Sequence, residues 1–175
     1  MNQKPMMPAY LAIVSKREVR KYTDREIPDE IVERMLQAGR ATGSSRNRQP
    51  WRFYVVRNRE TLDRLGDSVS APANLKGCRL AIAIVMTRSQ AFDAGRVAQN
   101  IALAAWADGI GTCPNTPRDL PAIRSLLDLE EDWDVPTILS AGFPAEALRP
   151  LNSDPGGILE RIDRKPLDEL THWID

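Results

Sequence analysis

The sequence predicts an α+β domain in which helices flank a central sheet. Three observations carry that expectation. Stretches with apolar residues at helical spacing alternate with only a few strand-like runs. Those runs are hydrophobic throughout, as strands covered on both faces are. The helical stretches also outweigh the strands too far for a regular doubly wound nucleotide fold. The chain has 175 residues, 42% of them apolar and 27% charged, which suits one soluble globular domain. That domain is expected over residues 9–175, after a flexible tail over residues 1–8 that carries one Lys and no apolar segment.

The elements follow in order. Met7–Lys16 reads as a first helix through Tyr10, Leu11, Ile13 and Val14. Pro28 opens the second, with Asp29 and Glu30 at the positive end of its dipole. Ile27, Ile31, Met35 and Ala38 recur along one face, widened by Val32 and Leu36, and the helix should end near Gly39–Gly43. Trp51–Arg57 is aromatic and β-branched and reads as a strand. Arg59–Leu65 is a short helix. Leu80–Met86 is apolar throughout and reads as a strand buried on both faces. In Phe92–Asp108 the only polar residues between Val97 and Ala107 are Gln99 and Asn100, so this helix belongs in a core or a subunit interface. Gly109 and Gly111 end it. Thr112–Pro117 is extended or a loop, Leu120–Leu129 a helix, Val135–Ala141 a third strand, and Leu167–Trp173 a last turn. Trp106, Trp133, Phe143 and Trp173 read as packing residues.

Composition removes several functions. No apolar run approaches the ~20 residues that cross a bilayer, and no signal peptide opens the chain. That leaves the cytoplasm as the expected compartment and no membrane partner. Lys plus Arg and Asp plus Glu both number 24, which argues against a nucleic-acid partner. The charge is uneven, however: residues 16–64 hold 13 basic and 8 acidic side chains, and residues 119–175 hold 5 and 13. Nineteen of the basic residues are Arg, whose planar fork grips phosphate and carboxylate. Two cysteines, Cys78 and Cys113, make neither a disulfide framework nor an all-cysteine zinc site. The single histidine, His172, excludes a His-rich metal site, so no metal is expected. The dinucleotide fingerprint, the phosphate-binding P-loop and H-E-x-x-H are all absent. The hard chemistry of an enzyme built this way belongs to a bound cofactor.

Three segments are candidates for binding one. Ser15–Tyr22 places four cations just after a helix, of which Lys16, Arg17 and Arg20 can converge on a phosphate or lie solvated at the negative helix end. Gly43–Trp51 offers hydroxyls, amides and guanidiniums suited to a heteroaromatic edge with donors and acceptors, or forms an ordinary turn. Arg161, Arg164 and Lys165 make a second basic cluster.

Taken in order, these segments resemble the FMN-dependent nitroreductase family. The R-R-S-x-R-x-[FY] opening is met by Lys16–Tyr22, the S-S-x-N-x-Q-P-W-x-F stretch by Ser44–Phe53, and G-x-x-x-Q-N-x-x-L-A-A by Gly95–Ala105. G-[LIV]-G-[ST]-C is met by Gly109–Cys113, G-[YF]-P by Gly142–Pro144, and R-x-P-L-x-E-x-x-H-W by Arg164–Trp173. The match runs from about residue 10 to the end. The resemblance implies a nitroreductase-like α+β fold: a central mixed β-sheet flanked by helices, in an intertwined homodimer with FMN at the interface. It implies that Lys16, Arg17 and Arg20, with Arg164 and Lys165, hold the phosphate and ribityl chain. Ser44, Ser45, Asn47 and Gln49 would approach the flavin, some from the other subunit. Thr112, Cys113, Pro114 and Asn115 would run near the reactive face of the ring.

Glu18 stands where the family has Ser. Beside a phosphate it must point away, pair with Arg17 or Arg20, or meet the ribityl hydroxyls. The stretch between Arg57 and Leu80 is short, so substrate-contacting insertions are reduced. The implied activity passes hydride from NADH or NADPH through flavin N5 to an electron-poor small molecule, a nitroaromatic or a quinone, by a ping-pong scheme, with no catalytic side chain required. The open alternatives are a specialised flavin enzyme (flavin fragmentation, dehalogenation or heterocycle oxidation) and a non-catalytic FMN-binding sensor.

Overall fold

The computed structural model describes residues 9–146 and 154–174, so the tail expected over residues 1–8 lies outside the described residues. Four strands form one sheet: β1 (Trp51–Val56), β2 (Leu80–Met86), β3 (Gly111–Asn115) and β4 (Asp134–Gly142), in the order β1-β2-β4-β3. The sheet was expected to be mixed. Its named strands all pair antiparallel, and the one parallel pairing among the described residues is the isolated bridge Glu18↔Thr112 on the β3 edge.

β2 shows why an antiparallel sheet still carries a continuous apolar run. Side chains alternate between faces, and both faces are covered. Leu80, Ile82, Ile84 and Met86 join one core, with Val32 and Met35 of helix α2 (Asp29–Arg40) and Val97 and Ile101 of helix α5 (Ala91–Ala107). Ala81, Ala83 and Val85 join the other. That core holds Leu62 and Leu65 of α3 (Arg59–Asp67), Leu75 of α4 (Pro72–Lys76) and Ile123 of α6 (Leu120–Leu127).

Helix α1 (Ala9–Ser15) is tied to α5 where the Trp106 indole donates to Ser15 Oγ at 2.9 Å. Pro28 occupies the N-cap of α2 with ψ 144° rather than its first helical turn: its ring fixes φ but leaves ψ free to stay extended. Gly109 ends α5 with φ 78°, the left-handed position that favours glycine. Sequence periodicity missed α4, and also α7 (Pro155–Leu159), which packs against α1. Each spans a single turn, too short to show a period. The last turn is α8 (Leu167–Leu170). Trp106 is buried and Trp133 partly buried in the cores. Trp173 is 90% exposed, so the packing role expected for it is not seen among the described residues. Among the described residues, no helix is long and apolar enough to cross a membrane.

Candidate functional site

Gly111 and Gly142 are register partners on β3 and β4, leaving a bare strip at the top of the sheet. Two side chains of the segment after α1 fill it. A Cβ on Gly111 would fall 2.5 Å from Val19 Cβ, and one on Gly142 would fall 2.8 Å from Tyr22 Cβ. The backbone is sewn down on both sides of Arg20. Val19 N–H donates to Thr112 O (3.0 Å), Thr23 N–H to Phe143 O (2.8 Å), and Ala145 N–H to Lys21 O (3.0 Å). With Val19 and Tyr22 turned in, Arg17 and Arg20 are exposed.

Beneath this segment runs a buried polar chain. The Tyr22 hydroxyl donates to the Val19 carbonyl and shares a 2.9 Å hydrogen bond with Ser140 Oγ. Asn115 Nδ2 donates to Cys113 O (2.9 Å), Ile138 O (3.0 Å) and Ser140 Oγ (3.3 Å). Asn74 Nδ2 of α4 donates to Asn115 Oδ1 at 2.9 Å. Burial holds the Tyr22 phenol well above its ordinary pKa, so it stays a neutral donor at any working pH. Nothing in the spacing of Asn74 or Ser140 marks them in the sequence.

The electrostatics differ from expectation at Glu18. It pairs with Lys16, not with Arg17 or Arg20. The Lys16 side chain is only 8% exposed, so the buried ammonium draws in the nearest carboxylate. Arg17 Nη1 donates to the carbonyls of Val14 and Lys16, each at 2.9 Å. None of the ion pairs among the described residues engages Arg17, Arg20, Arg164 or Lys165. Burial pushes the Cys113 thiol up and Glu18 adds to that, while Arg20 and Lys16 offset part of it. Cys113 is therefore a buried thiol and no nucleophile. Thr112, on the same strand, is 1% exposed, and its hydroxyl has no hydrogen-bond partner among the described residues. Pro114 is exposed.

The second segment lies elsewhere. Asn100 of α5 donates to Thr42 Oγ1 at 2.8 Å. Gln49 N–H then closes the loop onto Ser44 Oγ (2.9 Å), and Gln49 Nε2 reaches Asn47 Oδ1 (3.0 Å). Ser45 starts a single turn, and Arg46, Asn47 and Gln49 have φ of 54°, 53° and 47°. Such angles are uncommon outside glycine and cluster at functional sites. Gln49 also lines an open cleft of about 420 Å³ with Leu36, Arg40, Trp51 and Phe53.

This loop feeds the lower end of β1, whereas Lys16–Arg20 lies at the upper end of β3. These are opposite edges of the sheet, at least about 14 Å apart across three strand spacings. No hydrogen bond or ion pair among the described residues joins the two. Arg164 and Lys165 are exposed after α7, the helix that packs on α1, and Arg164 Nη1 donates to Asp163 O at 2.6 Å. The fold thus brings Lys16, Glu18 and Arg20 beside Thr112 and Cys113, with Arg17 on the same segment and Pro114 and Asn115 farther along β3. It leaves Ser44, Ser45, Asn47 and Gln49 apart from them.

The chain is similar to known proteins along most of its length. The sequence model of the Nitroreductase family matches residues 13–77 and 79–143. A protein of Methanothermobacter thermautotrophicus described as NADH dehydrogenase/NAD(P)H nitroreductase is 33% identical over 147 residues, 77% of this chain and 76% of the relative. A counterpart of the same description in Archaeoglobus fulgidus is 32% identical, covering 77% and 84%. Among solved structures, a nitroreductase from Desulfovibrio desulfuricans in complex with FMN superposes with a TM-score of 0.78. It is 26% identical and covers 99% of both chains.

Proposed function

The chain belongs to the nitroreductase family, and from that premise we propose that it is an FMN-dependent NAD(P)H oxidoreductase whose acceptor is a nitroaromatic or a quinone. The observation that carries the cofactor assignment is the set of exposed guanidiniums at Arg17 and Arg20. They lie on a segment pinned to the sheet edge and are engaged by no carboxylate among the described ion pairs. The donor set fits FMN. Two forks suit a phosphate dianion, Lys16 neutralises Glu18, and the Thr112 hydroxyl, buried with no partner among the described residues, is a group for which a ligand atom is the natural complement. In this reading Lys16, Arg17, Arg20, Arg164 and Lys165 hold the phosphate and ribityl chain. Glu18 keeps Lys16 in place, and Thr112, Cys113, Pro114 and Asn115 form the wall beside the ring.

When bound, FMN supplies hydride acceptance and release at its ring N5. The chain's own residues bind, orient and control access. Cys113 stays protonated, and no acid or base is demanded of any side chain. In this reading the same opening would admit donor and acceptor in turn. An anaerobic titration of the FMN-loaded protein with NADH, and separately with NADPH, is expected to bleach the visible flavin band with at least one of them. A bound flavin bleached by neither would favour the sensor reading and sink this one.

Ser44, Ser45, Asn47 and Gln49 complete the site from a second copy. Their place on the sheet edge opposite Lys16–Arg20 supports this reading. The apolar tail supports a homodimer. Leu167, Leu170, Trp173 and Ile174 are all exposed, and burying two such side chains is worth roughly 3 kcal/mol or more. Sedimentation is expected to give twice the 19.6 kDa chain mass. Leu170→Ser with Trp173→Ser, which removes the pair from both copies, should weaken association at least about a hundredfold. A monomeric wild type would remove the shared site.

A further inference from the structure

We infer that Tyr22 is a positioning residue for anion recognition: its part-buried hydroxyl sets the direction in which Arg20 is presented. This rests on the reading above, in which the Arg17 and Arg20 guanidiniums grip the FMN phosphate. The geometry is a lever over a paired-glycine fulcrum. Gly111 and Gly142 face one another across β3 and β4, and the side chains on either side of Arg20 drop into the space they leave. Main-chain hydrogen bonds from Val19 and Thr23 hold the two flanks.

Between those flanks, the Val19 carbonyl accepts from the Tyr22 hydroxyl. This bond fixes the peptide leading into Arg20. The hydroxyl is itself held by Ser140 Oγ, Ser140 by Asn115, and Asn115 by Asn74 on α4. Every link is buried or part-buried, and burial strengthens such hydrogen bonds and makes their loss costly. Tyr22 touches no anion. It acts through the backbone that carries the cations.

Tyr22→Phe separates this role from plain packing. The ring still fills the strip over Gly142, while the hydroxyl and its tie to Val19 are lost. The discriminating readout is the ratio of FMN to riboflavin affinity, since the two ligands share the ring and ribityl chain and differ by the phosphate. Both dissociation constants are to be measured by flavin fluorescence quenching. The wild type is expected to prefer FMN strongly. Tyr22→Phe should cut that preference roughly three- to tenfold, the value of one hydrogen bond, with riboflavin affinity nearly unchanged. Val32→Ala, in the core on the other face of the sheet, serves as a destabilising control whose preference should stay at the wild-type level.

Equal losses for FMN and riboflavin in Tyr22→Phe, or an unchanged ratio, overturn the inference and leave the phosphate reading standing. A ratio that falls as far in Val32→Ala as in Tyr22→Phe also overturns it, because general loosening then suffices. A wild type that binds both flavins equally overturns the phosphate reading itself, and the inference with it, before any variant is made.

Discussion

Replacing Arg17 and Arg164 together by alanine is expected to strip FMN from the protein, raising its dissociation constant at least about a hundredfold. Hydrogen bonds to charged partners contribute roughly 1.5–3 kcal/mol each, and each 1.4 kcal/mol is tenfold in affinity. The fold should survive. Arg17 spends its donors on carbonyls next to it in sequence, Val14 and Lys16, and Arg164 on that of Asp163; neither reaches into a core. Flavin content after gel filtration and equilibrium fluorescence titration both report the outcome, and circular dichroism checks the fold. Retention of FMN by the double variant removes the phosphate role of both residues. Lysine at the two positions should restore only part of the affinity, because an ammonium gives the charge without the two-pronged geometry.

Gly111→Ala should be the most damaging single methyl group in the molecule's upper edge. The new Cβ would sit 2.5–2.8 Å from three atoms of Val19, well inside contact distance. Val19 has little room to yield, since its own N–H is bonded to the carbonyl of the next residue on that strand, Thr112. Overpacking of this kind costs roughly 1–3 kcal/mol, a drop of about 2–12 °C in melting temperature at this chain length. The penalty is steric alone: Gly111 is not among the glycines with positive φ, so the backbone itself would accept alanine. FMN affinity should fall with stability, because the atoms displaced belong to the segment that presents Arg17 and Arg20. A thermal melt within 1 °C of wild type, a margin about half the shift expected from a single kcal/mol, would show that the Val19 contact is softer than its geometry implies.

Much of the molecule was legible before folding. The apolar run Leu80–Met86 announces a strand covered twice, and β2 is buried at every position. The period of Ile31, Met35 and Ala38 announces α2, and the apolar stretch around Ile101 announces α5, because helix and strand periods are local properties of the chain. The cation segment and the Ser44–Gln49 loop are visible as composition alone. Glu18 was legible as an anomaly but not in its resolution. Its partner depended on how deeply Lys16 is buried, and burial is decided by distant residues.

What the chain determined by itself is therefore its elements, its charge pattern and the order of its motifs, all set by neighbours within a turn or a strand. Only the tertiary structure decided that Gly111 and Gly142, 31 positions apart, face one another and open the strip for Val19 and Tyr22. Only it joined Tyr22 to Asn74 through Ser140 and Asn115, and only it sent the two halves of the candidate site to opposite sheet edges. The reason is physical. Strand order and register are chosen by packing two cores against one sheet, and a hydrogen-bond partner is whichever group that register delivers. No spacing along the chain carries this information.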